Sequence, residues 1–312
     1  MSILSNLLKD IFFEKSRHET SLQKSVQGSL AQWIEPSIAK LNEGDFVGNE
    51  KNGADALAPF PENAEAHHLL TEIEYAKCIA AVQKRFPGPT YFDWLKWFHA
   101  TLKPVTYLEI GVESGQSLQF ARSPTRAVGI DPEIQIVHSQ EAWVKLFRLT
   151  SDDFFATHDL QQVLGAKTVN LAFIDGLHTF DQALKDFMNV ERYSDSGTVV
   201  LFHDVFPVIP KTAERDRSTR FWIGDTWKVM LILMKFRPDL KIFTIPTYPS
   251  GLGVVTGLNP ESTTLQRDFE LICSQAMEFE LDTFPPRIDD HLNLVENDFK
   301  AVSRQMSLTN RH

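Results

Sequence analysis

"LAFIDGLHTFDQALKDF", residues 171–187, packs a strand-like run, an abrupt polar exit and a helical stretch into one short span. Leu171 to Ile174 are apolar, and Asp175, Gly176 and His178 follow at once, before "TFDQALKDFMNVERY" resumes a helical pattern. A short apolar run that ends in a turn and leads into a helix reads as one βα step of a parallel sheet covered on both faces.

The same step recurs on either side. Thr106–Ile110, Ala127–Asp131, Val144–Leu149, Val169–Ile174 and Thr198–Phe202 are candidate strands, with helix-length segments between most of them. Lys241–Ile245 and Leu252–Thr256 differ, because "PTYPSG" leaves too few residues between them for a parallel crossover. The reading is an α/β domain with a doubly wound, seven-stranded Rossmann-like sheet whose last strand is antiparallel. It spans residues 90–260. Residues 1–89 read as a helical N-terminal region, with a tetratricopeptide-type hairpin over 41–70 or an ordinary helical cap as the two accounts. Residues 261–312 read as a helical extension, broken at "TFPPRIDDH" and without a catalytic motif.

Composition narrows the partners. A chain of 312 residues with 43% hydrophobic content can bury a substantial core. Lys plus Arg total 31 against 41 for Asp plus Glu, a formal charge of -10, which leaves no electrostatic footprint for nucleic acid. Cys78 and Cys273 stand far apart, so neither a disulfide framework nor a cysteine-based zinc site is expected, and a cytoplasmic setting fits. No run reaches the roughly 20 apolar residues of a membrane span. Lys9, Asp10, Glu14 and Lys15 interrupt the N-terminal apolar stretch, which reads as a helix. The N-terminal region could alternatively serve docking or a homo-oligomer contact.

The first strand leads into "YLEIGVESGQSLQFA", residues 107–121. Gly111 and Gly115 permit a tight turn and a close approach to a ligand, and a helix is expected from near Ser114 with its free N–H groups aimed at the same place. The G-x-x-x-G spacing lacks the dinucleotide fingerprint. Glu109 disfavours an anion beside that loop and favours a cation or an amine. The second strand ends in "AVGIDPE", which puts Asp131 where such folds hold ribose hydroxyls. Asp175 leaves the fourth strand and His203-Asp204 the fifth on the edge where open α/β sheets bind ligands. Neighbouring strands lie about 4.8 Å apart, so these side chains can converge on one ion. Each also has a local account: a turn at Asp175-Gly176, a helix cap at His178, loop hydrogen bonds at His203-Asp204.

Residues 90–260 resemble the class I S-adenosylmethionine-dependent methyltransferases, and most of all the metal-dependent O-methyltransferases of the macrocin and mycinamicin type. "YLEIGVESGQS" is similar to motif I of that group, "GIDPE" to its ribose-binding acid, and "FIDGLHTFDQALKDF" with "GTVVLFHD" to its strand-four and strand-five signatures. The resemblance implies that Glu109 and the Gly111–Gly115 loop hold the amino-acid portion of S-adenosylmethionine and Asp131 its ribose. Asp152 or Asp153 in "TSDDFF" would lie near the adenine, although a Ser-Asp-Asp helix cap accounts for them equally well. Asp175 and Asp204 would be metal ligands and His178 the general base. His203 stands where that group has an acid, which makes it a third ligand and favours a transition metal or zinc over Mg²⁺.

In "FWIGDTWKVMLILMKF", Asp225 reads as an N-cap with Lys228 in the first turn. The resemblance puts a similar segment on the substrate side, next to a stretch, 207–222, long enough to be a lid. The expected function is methyl transfer from S-adenosylmethionine to a hydroxyl of a small molecule or glycan precursor, with a divalent metal and a histidine base. The reading from another class is a catalytically idle domain of this fold that recruits a partner through its helical N-terminus.

Overall fold

The structure, a computed structural model, describes residues 64–279, 281 and 287–307. The expectations for residues 1–63, most of the 41–70 hairpin among them, lie outside the described residues. Among the described residues, 64–81 with 219–221 form one compact unit and the remainder a second. In the small unit, 64–81 belong to the helix Ala64–Arg85, and the Arg220 guanidinium lies 4.4 Å from the Tyr75 ring centre, in cation–π range.

The large unit is built on a seven-stranded sheet ordered β3-β2-β1-β4-β5-β7-β6. Its strands are β1 Thr106–Ile110, β2 Arg122–Ile130, β3 Glu141–Phe147, β4 Leu171–Ile174, β5 Val199–His203, β6 Lys241–Ile245 and β7 Leu252–Thr256. All neighbours pair in parallel except β7, which runs against both β5 and β6. The expected terminal hairpin therefore forms. Strands β2 and β3 begin earlier than their apolar runs because their first residues, exposed at the sheet margin, pair without being buried.

One expectation fails. No α-helix follows β1 or β2: residues 111–121 form turns and a short 3-10 helix at Leu118–Phe120, and 131–140 form a loop. The first link falls short of the dozen or so residues an α-helical crossover takes. The two loops satisfy each other instead, with Gln135 N–H donating to Glu113 O at 2.8 Å and Val137 N–H to Ser114 O at 3.0 Å.

The helix Tyr91–Leu102 starts from a capping box in which Thr90 and Asp93 each accept the other's backbone N–H. It buries Trp94, Leu95, Phe98 and His99 and stops at Lys103, held at φ 46° just before Pro104. The helix Phe180–Glu191 joins β4 to β5 and buries Phe180, Ala183, Leu184, Phe187 and Val190, one stripe at helical spacing. Its last residue, Glu191, accepts two hydrogen bonds from the buried Arg237 guanidinium, at 2.6 and 2.9 Å. The C-terminal segment packs on the first of these helices: Trp94 Nε1–H donates to Asn297 Oδ1 and the Phe299 ring lies 4.6 Å from Trp94. Among the described residues no helix is long and apolar enough to cross a membrane, and Cys78 and Cys273 form no disulfide.

This topology gathers one edge. Strands β1, β2, β4 and β5 end there, and because β7 enters antiparallel, with Leu252 opposite His203, the tip of the β6–β7 hairpin returns to the same place.

Candidate functional site

At the end of β1, Gly111 turns the chain at φ 89°. A Cβ there would stand 1.9 Å from the carbonyl oxygen of Asp175, so glycine alone lets this loop lie against the exit of β4. Asp175 N–H donates to Ile110 O at 2.8 Å, which holds the two exits side by side. Gly115, at φ 77°, faces Ile136 and Gln140 across the neighbouring loop.

Glu109 is 0% exposed and accepts hydrogen bonds from Tyr107 O–H and Ser117 O–H, both at 2.6 Å. Burial lifts its carboxyl to about 8, against the opposing pull of those two bonds. It ties the first loop to β1. Asp131 Oδ2 accepts the N–H groups of Val112 and Glu113, each at 2.9 Å, and Oδ1 accepts that of Glu133 at 2.6 Å. A carboxylate has about four lone-pair sites, so acceptor capacity remains for ligand hydroxyls. Asp153 lies in the cap of the helix Ser151–Thr157, where Thr150 accepts its backbone N–H. Asp152 Oδ1 accepts from Gln182 Nε2 at 3.0 Å.

The ends of β4 and β5 bring Asp175, His178 and Asp204 together, with one ligand atom from each lying within 4.8 Å of the others. His178 Nε2 is 3.3 Å from Asp175 Oδ1 and 3.1 Å from Asp204 Oδ2. Both His178 and Asp204 sit at positive φ, 61° and 58°, a region costly for residues with a Cβ and often found at functional sites. Gly224 permits the first of these, since a Cβ there would stand 1.8 Å from His178 O. Behind them His203 Nδ1 is 3.3 Å from Asp175 Oδ1 and 3.3 Å from Asp204 Oδ1, while its Nε2 faces Ser250 Oγ at 3.3 Å. Ser250 O–H donates to Asp204 Oδ1. The Tyr91 ring covers His203 at 4.2 Å, and Trp222 stacks on His178 at 5.3 Å. His178 Nδ1 is buried and makes no hydrogen bond among the described residues.

The charges hold one another. Burial alone would raise the Asp175 carboxyl, but His203 and His178 outweigh it and keep the group below the usual carboxylate range. Burial pulls His178 down, and Asp204 with Asp175 outweighs that and lifts it to about 9. The same balance holds His203 well above the ordinary imidazole value. A divalent cation fits this donor set: two carboxylates with an imidazole nitrogen between them, in a cluster whose negative charge otherwise relies on protonated histidines.

One expectation about "GDTWK" changes. Asp225 does not cap its own helix, Lys228–Phe236, which begins from Trp227 without a side-chain cap. It accepts the Phe180 N–H at 3.0 Å instead, so it caps the neighbouring helix Phe180–Glu191, whose own N-cap residue Thr179 makes no such bond. His178 caps nothing either. Asp225 and Lys228 are 1% and 7% exposed and lie 3.5 Å apart, with Arg215 reaching Asp225 at 3.4 Å. Both are buried. Within the expected lid, Arg215 also donates to Asp181 at 2.9 Å and Trp222 Nε1–H to Glu214 O at 2.8 Å.

Sequence reading missed Tyr91, Trp222, Asp186 and Ser250. Asp186, buried on the helix Phe180–Glu191, lines a small recess with Asp175, His178, His203 and Thr226. Ser250 had a signal, because an antiparallel hairpin ending at "PTYPSG" must return its tip to the exit of β5. Tyr91 had none, since its contact joins a helix N-terminus to a distant strand.

Residues 108–205 match a protein-family model described as a methyltransferase domain. No curated protein matches the chain. Among solved structures, the chain is similar to the SAH-bound Podospora anserina methyltransferase PaMTH1, at 16% identity over 64% of this chain and 97% of that one, TM-score 0.41. It is also similar to the O-methyltransferase TomG from Streptomyces achromogenes, involved in tomaymycin synthesis and solved in complex with SAM, at 17% identity over 59% and 89%, TM-score 0.40. A third likeness is to the O-methyltransferase from Bacillus cereus in complex with SAH, at 15% identity over 65% and 96%, TM-score 0.38.

Proposed function

We propose, from the match of residues 108–205 to a methyltransferase-domain family model, that this chain transfers the methyl group of S-adenosylmethionine to a hydroxyl oxygen of a small molecule or sugar with the help of a divalent metal. The observation that carries the reading is the convergence of Asp175, His178 and Asp204 at the exits of β4 and β5. A divalent ion held there would make the acceptor hydroxyl more acidic, and the sulfonium donor would supply the methyl group.

The chain's own residues divide the work. Asp175 and Asp204 hold the ion. Gly111, Gly115 and the loop they shape keep the donor beside Asp175, with Glu109 fixing that loop from beneath and Asp131 offering its spare lone pairs to ribose hydroxyls. His178 Nε2 takes the acceptor's proton. His203, both of whose nitrogens already face protein partners, braces the two acids without ligating. Asp225 and Lys228 support the site by capping and packing. A second reading is favoured by the same 4.8 Å grouping: His178 as third ligand, with the ion alone activating the hydroxyl.

The test is product detection. The full-length protein, incubated with isotopically methyl-labelled donor and a panel of phenolic, aliphatic and sugar hydroxyls, should yield labelled ethers by mass spectrometry. Prior chelation should stop it and Mg²⁺ or Mn²⁺ restore it. Undiminished turnover after chelation would exclude the metal and leave His178 and Asp204 as a base and its orienting acid.

A further inference from the structure

The hairpin tip between β6 and β7 reaches the acid cluster through the Ser250 side chain. Ser250 is 1% exposed and has a single proton, which it donates to Asp204 Oδ1. Its oxygen is then left to accept from His203 Nε2, 3.3 Å away. One hydroxyl therefore orients both residues that end β5.

Asp204 needs such a partner. At φ 58° its backbone is in the uncommon left-handed region, and its carboxylate is met by the Ser250 hydroxyl as well as by His178 and His203. The tip that supplies this contact is itself held. Phe206 N–H donates to Ser250 O at 2.7 Å, and Gly251 N–H to Thr247 O at 2.8 Å. Thr247 O–H donates to Pro89 O at 2.6 Å, and Tyr91 N–H to Tyr248 O at 3.1 Å. Gly251, at φ 77°, lets the tip close on Phe206, since a Cβ there would stand 2.5 Å from the Phe206 Cβ. Such bracing from two other segments suits a group that must be aimed rather than one that merely fills space.

We propose that Ser250 is a positioning residue for the metal site: its hydroxyl aims Asp204 at the ion and keeps His203 turned away from it. The assignment rests on the metal-assisted reading above. Its test is Mn²⁺ binding to the full-length protein, followed by electron paramagnetic resonance without acceptor, alongside S-adenosylmethionine affinity by calorimetry. Ser250→Ala should weaken Mn²⁺ binding by about 10- to 100-fold, the usual effect of removing a partner behind a ligand, and leave donor affinity unchanged. Ser250→Cys fills similar volume with a much weaker donor, so it should lose Mn²⁺ equally even if the alanine variant does not fold. A general loosening of the fold would lower both affinities together and overturn the assignment, as would wild-type Mn²⁺ affinity in the folded variants. Failure of the wild type to bind Mn²⁺ would overturn the metal reading, and the assignment with it.

Discussion

His99 is buried, with neither ring nitrogen hydrogen-bonded among the described residues and its edge against the Tyr107 ring at 4.5 Å. Burial, helped by Arg122, depresses it to about 4 from an ordinary 6.5. Below pH 6.5 the unfolded chain takes up a proton that the folded protein refuses, so stability present above that pH is lost as pH falls towards 4. The loss amounts to about 3 kcal/mol. In chemical denaturation at pH 4.5 and 7, His99→Leu should lose less stability on acidification than the wild type; identical losses would refute the coupling. The site residues predict different failures. Asp175→Ala and Asp204→Ala should lose metal-dependent turnover and Mn²⁺ binding while donor affinity persists. His178→Ala should slow turnover by about 10² to 10⁴ if the residue is the base, with Mn²⁺ binding retained. Loss of Mn²⁺ binding in that variant would establish the ligand role instead. Asp175, His178, His203 and Asp204 were legible because acids and imidazoles directly after apolar runs are chemically conspicuous. Ser250 and Tyr91 were not, because an ordinary serine and tyrosine gain their meaning from what the fold lays beside them.

Among elements, the helix Phe180–Glu191 depends on help from outside at both ends. Asp225 caps its start, and Arg237, 1% exposed, neutralises Glu191 at its finish. Arg237→Ala would leave Glu191 buried without its partner, and the protein should lose about 3–5 kcal/mol in chemical denaturation. A loss below 1 kcal/mol would mean that water reaches Glu191. Strands β1, β6 and β7 were readable to the residue because each is a compact apolar run between turn formers. The absent helix after β1 was not: "ESGQS" carries the residues of a helix start, but Asp131 and the 131–140 loop take its N–H and C=O groups across the sheet edge. Only the neighbouring loop decides between the two outcomes, and no local pattern reports it.

For the whole molecule, the doubly wound α/β sheet and its terminal antiparallel hairpin were legible from alternation and loop length. Acceptor chemistry was not, since it depends on side chains that converge from separate segments, as Trp222 and His178 do. S-adenosylmethionine should raise the melting temperature, with a stabilisation of about 2.7 kcal/mol at a hundred times its dissociation constant. Gly111→Val should abolish that shift, because its side chain would drive into the Asp175 carbonyl. A shift with NADH and none with S-adenosylmethionine would overturn the donor assignment. The antiparallel last strand also has a consequence in time. Asp175, His178, His203 and Asp204 all leave the ribosome before residues 246–251, and a domain generally folds as a unit, once its last strands are made. The acids of the cluster therefore emerge before the Ser250 hydroxyl that meets Asp204, and the hairpin tip, arriving later, is the latch that would complete the proposed metal site.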